Sequence, residues 1–486
     1  MSMKDRNKIE FGDFQTPPEL ARQVCDLLNR RGFSFASIVE PSCGVGSFIA
    51  ASEGAFPDCG KVLGYDINLE HVIVAKSIAH RANIQQEDFF LKDWQKTIRK
   101  LAEPILIIGN PPWVTNSAVS TIKGTNLPKK SNIHQLNGFD AITGKSNFDI
   151  SEWMLTSLMG WLSGRSAVLA MLCKTVVARK VLNHAWKAKL QVAESALYGI
   201  DAMAHFGAAV DACLMVCVLS PQAQSAECSV FDRIDAMKSK STIAFRNDRL
   251  IANLDAYTVS GHLSGTSAVK WRSGIKHDCA RVMELQRGAK HDQFVNGLGE
   301  QVRLEADYLY PMLKSSDLMR RAEPSRYMLI TQKSTGEDTS AIAKRSPLTW
   351  RYLESHGELL DSRSSSIYRN RPRFSIFGVG DYSFAPWKVS ISGFYKKFDF
   401  IPVGPKDGKP VMLDDTCYFL PCYSEDQAEK LVEILNAKEA KGYFNSFVFW
   451  DAKRPITISL LSTLDLAALA EECGSDWAYG QTNLRL

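Results

Sequence analysis

The sequence predicts an α/β chain: a doubly wound, mostly parallel sheet with helices on both faces, followed by a second region of mixed α and β structure. Three observations carry this. Over the first 220 residues, short apolar runs alternate with amphipathic stretches, which is the βαβα rhythm of a parallel sheet covered on both sides. Beyond them the rhythm fades into polar, turn-rich stretches such as 220–227 and 238–242. A length of 486 residues also exceeds one ordinary domain. The boundary is expected near residue 245, dividing 1–245 from 246–486.

Taken in order, Thr16-Pro17-Pro18-Glu19 predicts a helix start. Threonine can cap, proline suits the first turn, and glutamate three residues on completes a capping box. Leu20, Val24, Leu27 and Leu28 then follow at helical spacing. Strands are expected over 37–40, 61–66, 104–109, 166–172 and 212–219, with a further strand end near Glu87. Helices are expected over 70–82 and 151–162. In the second region, 327–331, 387–394 and 417–420 read as short aromatic-rich segments. Ser424-Glu425-Asp426-Gln427 is another capping box and opens a helix to about residue 441. There is no internal repeat or low-complexity tract.

Composition narrows the class. Apolar residues make up 45% and charged residues 23% of the chain, as in globular proteins. No run of about 18 uncharged apolar residues occurs, which predicts no transmembrane helix and no membrane partner. The N-terminus, Met1 to Arg6, is charged and leads into no apolar segment, arguing against a secretory signal. Eleven cysteines form no Cys-x-x-Cys pair, and Cys213 and Cys217 lie inside an apolar run. They read as buried packing residues, so no metal is expected and a reducing cytoplasm suits the chain. The net charge of +5 permits a polyanion partner without demanding one.

The chemistry lies at the strand ends, where ligands bind in such sheets. Glu40-Pro41-Ser42-Cys43-Gly44-Val45-Gly46 follows the first strand. Glycines there let the backbone approach a ligand, although such turns also serve as plain connections. Asp66 closes the next strand, where a carboxylate accepts from ribose hydroxyls or caps the following helix. Asp88 and Phe89 stand at a third strand end, suited to an adenine amino group and its ring. Asn110-Pro111-Pro112-Trp113 ends the fourth strand. Its prolines remove two N–H donors, leaving a stiff ridge of acceptors beside a flat aromatic face. An exocyclic amino group or an amide fits that ridge; a rigid turn with a packing tryptophan is the structural alternative.

The order Thr16-Pro17-Pro18, Glu40-Pro41-x-x-Gly44-x-Gly46, Asp66, Asp88 and Asn110-Pro111-Pro112-Trp113 resembles the DNA amino-methyltransferases. More narrowly it resembles their γ group, the TaqI-methyltransferase-like enzymes, over roughly residues 11–220. The resemblance implies a class I methyltransferase fold, S-adenosyl-L-methionine as cofactor, and transfer to the N6 of a flipped adenine in double-stranded DNA. It places Thr16, Glu40, Gly44 and Gly46 on the methionine side, Asp66 on the ribose, and Asp88 with Phe89 on the cofactor's adenine. Asn110 and the Pro111 carbonyl accept from the target amino group, Pro112 stiffens the ridge, and Trp113 stacks on the base. Phe206 resembles an aromatic that contacts the base from another side, and equally reads as a packing residue. Ser42 stands where many methyltransferases have glycine, and Trp113 replaces the commoner tyrosine.

The second half is then expected to recognise the target sequence. Basic and aromatic residues interleave around Arg272 and Lys276, around Arg363, Tyr368, Arg369, Arg371 and Arg373, and around Lys388 and Lys396. Such residues suit phosphate contacts and guanine edges, or they are solvated loops. A separately encoded restriction endonuclease is the implied partner. The rival readings are a methyltransferase of cytosine N4, an RNA base or protein glutamine, and a catalytically silent DNA-binding subunit. A fused nuclease is not expected, because Glu439-Ala440-Lys441 lacks a Pro-Asp partner nearby.

Overall fold

Strands buried on both faces must be apolar along their whole length, and three runs of this chain satisfy that: 105–109, 167–173 and 212–216 are buried at every position. The computed structural model describes residues 14–114, 149–267, 269–288 and 293–477; the charged stretch Met1 to Arg6 lies outside them. The chain divides into two compact units, Met1–Asp255 and Ala256–Leu486.

Among the described residues the first unit holds ten strands: β1 (Ser37–Glu40), β2 (Lys61–Asp66), β3 (Asn83–Gln86), β4 (Ile105–Gly109), β5 (Ala167–Lys174), β6 (Val192–Ile200), β7 (Ala212–Leu219), β8 (Glu227–Phe231), β9 (Ser241–Arg246) and β10 (Arg249–Ile251). They form one sheet in the order β10-β9-β8-β6-β7-β5-β4-β1-β2-β3. β1, β2, β3, β4 and β5 pair in parallel, while β7 runs against both β5 and β6. This is a doubly wound, mostly parallel α/β sheet, as the sequence predicts. The helices that cover it are α1 (Pro18–Arg30), α2 (Ser47–Ala55), α3 (Leu69–Ile78), α4 (Trp94–Arg99), α5 (Ile150–Leu162), α6 (Thr175–Lys187) and α7 (Ala202–Phe206). In α1 the buried face is Leu20, Ala21, Val24, Leu27 and Leu28, the helical stripe expected from the sequence.

The alternation of strand and helix fades after residue 220 as expected, while the sheet itself continues: β8 joins β6 in parallel and β9 and β10 extend it by hairpins. Two local expectations need correction. Pro17, not Thr16, occupies the N-cap of α1 and no side chain caps it; Glu19 instead pairs with Arg22. The helix opened by Ser424 breaks at Ala437, which adopts extended geometry, giving α8 (Glu425–Asn436) and α9 (Lys438–Phe447). Its start is as expected: Ser424 accepts from the Gln427 backbone N–H, and Gln427 accepts in turn from the Tyr423 N–H.

The second unit contains a six-stranded sheet centred on Glu284–Arg287 and Arg326–Leu329, and a four-stranded sheet centred on Trp387–Ser392 and Cys417–Cys422. α8 and α9 pack on the smaller sheet through Leu431, Ile434, Tyr443 and Phe444 against Val389, Ile391 and Phe400.

Lys388 lies inside this sheet, 1% exposed, and its ammonium donates to the Ala385 carbonyl at 2.8 Å. It therefore cannot serve as the surface phosphate contact expected from the sequence. Burial lowers its pKa to about 7, opposed by the nearby Cys422. The unfolded chain holds this proton up to the usual lysine range, so stability rises with pH between about 7 and 10.5. The slope is at most about 1.4 kcal/mol per pH unit. Urea unfolding of Lys388→Met at pH 7 and pH 9 is expected to lose this dependence and to exceed the wild type at pH 7, whereas an unchanged slope would show that Lys388 is not its source.

Candidate active site

The carboxyl ends of β1, β2 and β4 lie side by side, because β1 pairs with both neighbours in parallel. After β1 the chain turns through Gly44 (φ +49°) and Gly46 (φ +90°), left-handed conformations that favour glycine. Space is limiting as well. A β-carbon on Gly44 would lie 2.4 Å from the Gln15 Oε1, and one on Gly46 would lie 2.9 Å from the Ala75 Cβ. Asp66, at the end of β2, accepts from the Gly44 N–H at 2.8 Å and from the Asn68 N–H at 2.8 Å. It thus braces the loop rather than capping α3, a task that falls to Asn68.

Three consecutive residues before α1 tie these ends together. The Phe14 carbonyl accepts from the Asn110 Nδ2 at 3.0 Å, Gln15 Oε1 accepts from the Val45 N–H at 3.0 Å, and the Thr16 carbonyl accepts from the Ser47 hydroxyl at 2.7 Å. Thr16 is buried. The Phe14 contact fixes the Asn110 amide so that its donor points at a carbonyl. Its Oδ1, an acceptor, is buried and without a partner among the described residues.

Glu40 closes β1 at 2% exposure, and its Oε2 is likewise buried without a partner among the described residues. Burial, reinforced by the nearby Asp66 charge, raises its pKa well above the usual carboxylate range. Gly109 (φ +154°) passes so close that a β-carbon there would lie 3.3 Å from the Glu40 Cγ. The Cys43 thiol is also pushed up by burial and the same two carboxylates, so it stays neutral and is no nucleophile.

On the far side of Asn110 stand three rings. Trp113 and Phe206 meet edge to face at 5.1 Å, and Phe14 lies 6.0 Å from Trp113 and 6.3 Å from Phe206. Pro111 is buried and Pro112 half-buried beside them. At the end of β3, Asp88 is half-buried and its Oδ1 accepts from the Phe90 N–H at 2.8 Å. Phe89 packs among Trp94, Trp153 and Trp161, which leaves Phe90 as the more open ring.

The structure therefore gathers Thr16, Glu40, Gly44, Gly46, Asp66, Asn110, Trp113 and Phe206 around the sheet edge. Phe14 and Gln15 join them, although nothing in their own spacing marked them out beyond adjacency to Thr16-Pro17. The lining fits S-adenosylmethionine: the buried Glu40 Oε2, unpartnered among the described residues, suits a cationic ligand, and the two glycines leave room for its backbone-like end.

The basic residues of the second unit divide by environment. Arg363 spends its donors on the Leu360, His277 and Ser375 carbonyls and stacks on Tyr368 at 3.7 Å, so it is a brace rather than a phosphate contact. Arg272 lies over Tyr382 at 4.3 Å. Lys276 pairs with Asp278 and Arg373 with Asp361, both near the surface. Arg369, Arg371 and Lys396 are exposed.

No family model matches the sequence. The chain is 48% identical over 475 residues to the type II methyltransferase M.NspV of Nostoc sp., an alignment covering 96% of this chain and 98% of that protein. Its structure is similar to that of the type IIL restriction-modification enzyme MmeI in complex with DNA, with a TM-score of 0.53 at 13% identity. That match covers 95% of this chain and 65% of MmeI, so this chain spans about two thirds of MmeI's length. It is also matched by the type IIG restriction endonuclease BpuSI, with a TM-score of 0.37 and 12% identity over 94% of this chain and 60% of that one.

The raised pKa of the Glu40 carboxyl has a measurable consequence. In the unfolded chain this group ionises in the usual range, while in the fold it keeps its proton to higher pH. The fold therefore loses stability as pH rises through that interval. Without ligand, Glu40→Gln is expected to melt higher than wild type at pH 8 and by a smaller margin at pH 4.5. An equal margin at both would show that Glu40 is ionised in the fold.

Proposed function

The chain belongs to the type II methyltransferases, and from that premise we propose that it transfers a methyl group from S-adenosylmethionine to the N6 amino group of an adenine flipped out of double-stranded DNA. The observation that carries this reading is the buried, unpartnered Asn110 Oδ1, fixed by Phe14 beside the rings of Trp113 and Phe206.

An adenine N6 lone pair is delocalised into the ring and nucleophilically weak. Asn110 Oδ1 and the Pro111 carbonyl accept from its two hydrogens, favouring a more tetrahedral nitrogen whose lone pair points along the transfer direction. Both acceptors are fixed before the base arrives, by the Phe14 carbonyl and by proline, so little reorganisation is needed. Trp113 stacks on the base and offsets part of its unstacking cost, with Phe206 at its edge. The cofactor, when bound, supplies an electrophilic methyl group on a sulfonium. Thr16, Glu40, Gly44 and Gly46 hold its methionine end, Asp66 its ribose and Asp88 its adenine, with Phe90 better placed than Phe89 to cover that ring. Glu40 gains a cationic neighbour there, which relieves its lone carboxyl.

In this reading unit Met1–Asp255 is the catalytic domain and Ala256–Leu486 the target-recognition domain. Arg369, Arg371 and Lys396 are its best phosphate contacts, supported by Arg272, Lys276 and Arg373 at the surface. All eleven cysteines are free, which suits a cytoplasmic enzyme working beside a separately encoded endonuclease.

The test is transfer of labelled methyl from S-adenosylmethionine to unmethylated bacterial DNA, followed by nucleoside analysis. Label is expected in N6-methyladenosine, with Asn110→Ala slower by roughly 100- to 1,000-fold. Label in N4-methylcytosine would move the target to cytosine, and label in protein or RNA would remove DNA as the substrate. Binding should also fall with salt, and Arg369→Ala and Arg371→Ala are each expected to reduce the slope of log K against log salt by about one; slopes equal to wild type would remove them from the interface.

A further inference from the structure

The pairing of β4 with β5 ends at Gly109 and Met171. Beyond it the Asn-Pro-Pro-Trp ridge leaves the sheet, and the next part of β5 takes hold of its last residue in two places. The Trp113 indole N–H donates to the Leu172 carbonyl at 3.4 Å, and the Lys174 ammonium donates to the Trp113 carbonyl at 3.0 Å. Lys174 is itself held by Asp149 Oδ2 at 2.6 Å. Asp149 is buried and anchored, since its Oδ1 accepts from the Ser151 N–H at 3.1 Å and from the Ser151 hydroxyl at 2.5 Å as the N-cap of α5. One residue beyond the tryptophan, the Val114 carbonyl accepts from the Ile150 N–H at 2.8 Å. A chain of charge-assisted bonds thus runs from the start of α5, through the last residue of β5, to the backbone of Trp113.

Resting on the methyl-transfer reading above, we propose that Lys174, backed by Asp149, is a positioning residue that fixes Trp113 and decides which carbonyls of the ridge face the target. A bare ridge presents several acceptors in a row. By occupying the Trp113 carbonyl, Lys174 removes the last of them from that set and holds the end of the ridge that carries Asn110 Oδ1 and the Pro111 carbonyl, the acceptors assigned above to the two hydrogens of one amino group. The same bond holds the indole from its backbone side while Leu172 holds its edge, so the ring lies in one orientation before a base arrives. An ammonium here also costs little. Asp149 balances its charge, and the bonds involved are of the ionised, stronger kind.

Lys174→Met removes the charge and keeps the stem, and it leaves Asp149 still bonded to Ser151. Lys174→Arg keeps the charge and can reach both partners. With 5-fluorotryptophan in the full chain, the Trp113 resonance, assigned by Trp113→Phe, is read by fluorine NMR without any substrate. It is expected to shift or broaden in Lys174→Met and to return near its wild-type position in Lys174→Arg. In methyl transfer to DNA, Lys174→Met is expected to lower kcat by roughly 10- to 100-fold, the scale of a small misplacement at a reacting centre. Its S-adenosylmethionine Kd should stay within about twofold of wild type, and the arginine variant should recover most of the rate. An unmoved Trp113 resonance in Lys174→Met would overturn the proposal. So would a fall in cofactor affinity equal to the fall in rate, which would mark general loosening of the fold. If wild-type protein labels no DNA while the resonance still moves, the methyl-transfer reading fails and the positioning role stands.

Discussion

Three residues in a row, Phe14 to Thr16, hold together two loops that the sheet alone would leave independent. β1 and β4 are neighbours, but their pairing ends at Val39 and Ile107, before the glycine loop and the Asn-Pro-Pro-Trp ridge begin. The Phe14 carbonyl grips Asn110, Gln15 grips Val45, and the Thr16 carbonyl grips Ser47. α1, packed through its leucine face, carries this segment as a rigid extension of the core. Because the amide of Asn110 is turned by a backbone carbonyl, its acceptor is aimed by main-chain geometry rather than by a free rotamer.

That frame lets the unit keep polar atoms unsatisfied where a core would not. A buried acceptor without a partner costs about 1–3 kcal/mol, and Glu40 Oε2, Ser42 Oγ and Asn110 Oδ1 all lie in the two loops at the ends of β1 and β4. Such atoms would relax towards any available donor if the backbone allowed it. Gly109 pressed against Glu40, and Gln15 filling the space beside Gly44, leave them little freedom to do so. The cost is borne by the leucine- and isoleucine-lined core beneath. The same atoms, dry and fixed, interact more strongly with a ligand than solvated ones could.

How far the sequence could be read follows from burial. β4, β5 and β7 announce themselves because strands covered on both faces are apolar at nearly every position. β3 is an edge strand of Asn83, Ile84, Gln85 and Gln86 with a single buried residue, so only the acidic turn after it was legible. β6 carries Glu194, Ser195 and Gly199 within its span, and β8 to β10 form short, half-exposed hairpins; neither leaves a run to detect. The motif residues were legible because each chemistry demands a residue type at a strand end. Phe14 and Gln15 were not, because they act through a carbonyl and an amide that many residue types could supply. The helix after Ser424 shows the opposite failure: its cap is local and was readable, but its break falls at Ala437, an ordinary helix former that leaves no local mark.

Basic residues in the second unit show why charge counted along a chain overstates an interface. Arg363, Arg369, Arg371 and Arg373 stand together in sequence with no acid among them, yet Arg363 faces inward, where it satisfies three carbonyls that no helix or strand pairs. Arg373 finds Asp361, outside the run in sequence and beside it in space. Lys388 sits in a strand whose other members are apolar or hydroxyl-bearing, and it reaches one carbonyl from within the core. Long cationic side chains are useful to an irregular, loop-rich unit for this reason: each brings several donors to carbonyls that would otherwise be buried unmet. Such a unit draws part of its basic composition from its own backbone's needs. Of the basic residues that interleave with aromatics in the sequence, Arg369, Arg371 and Lys396 are among those left exposed.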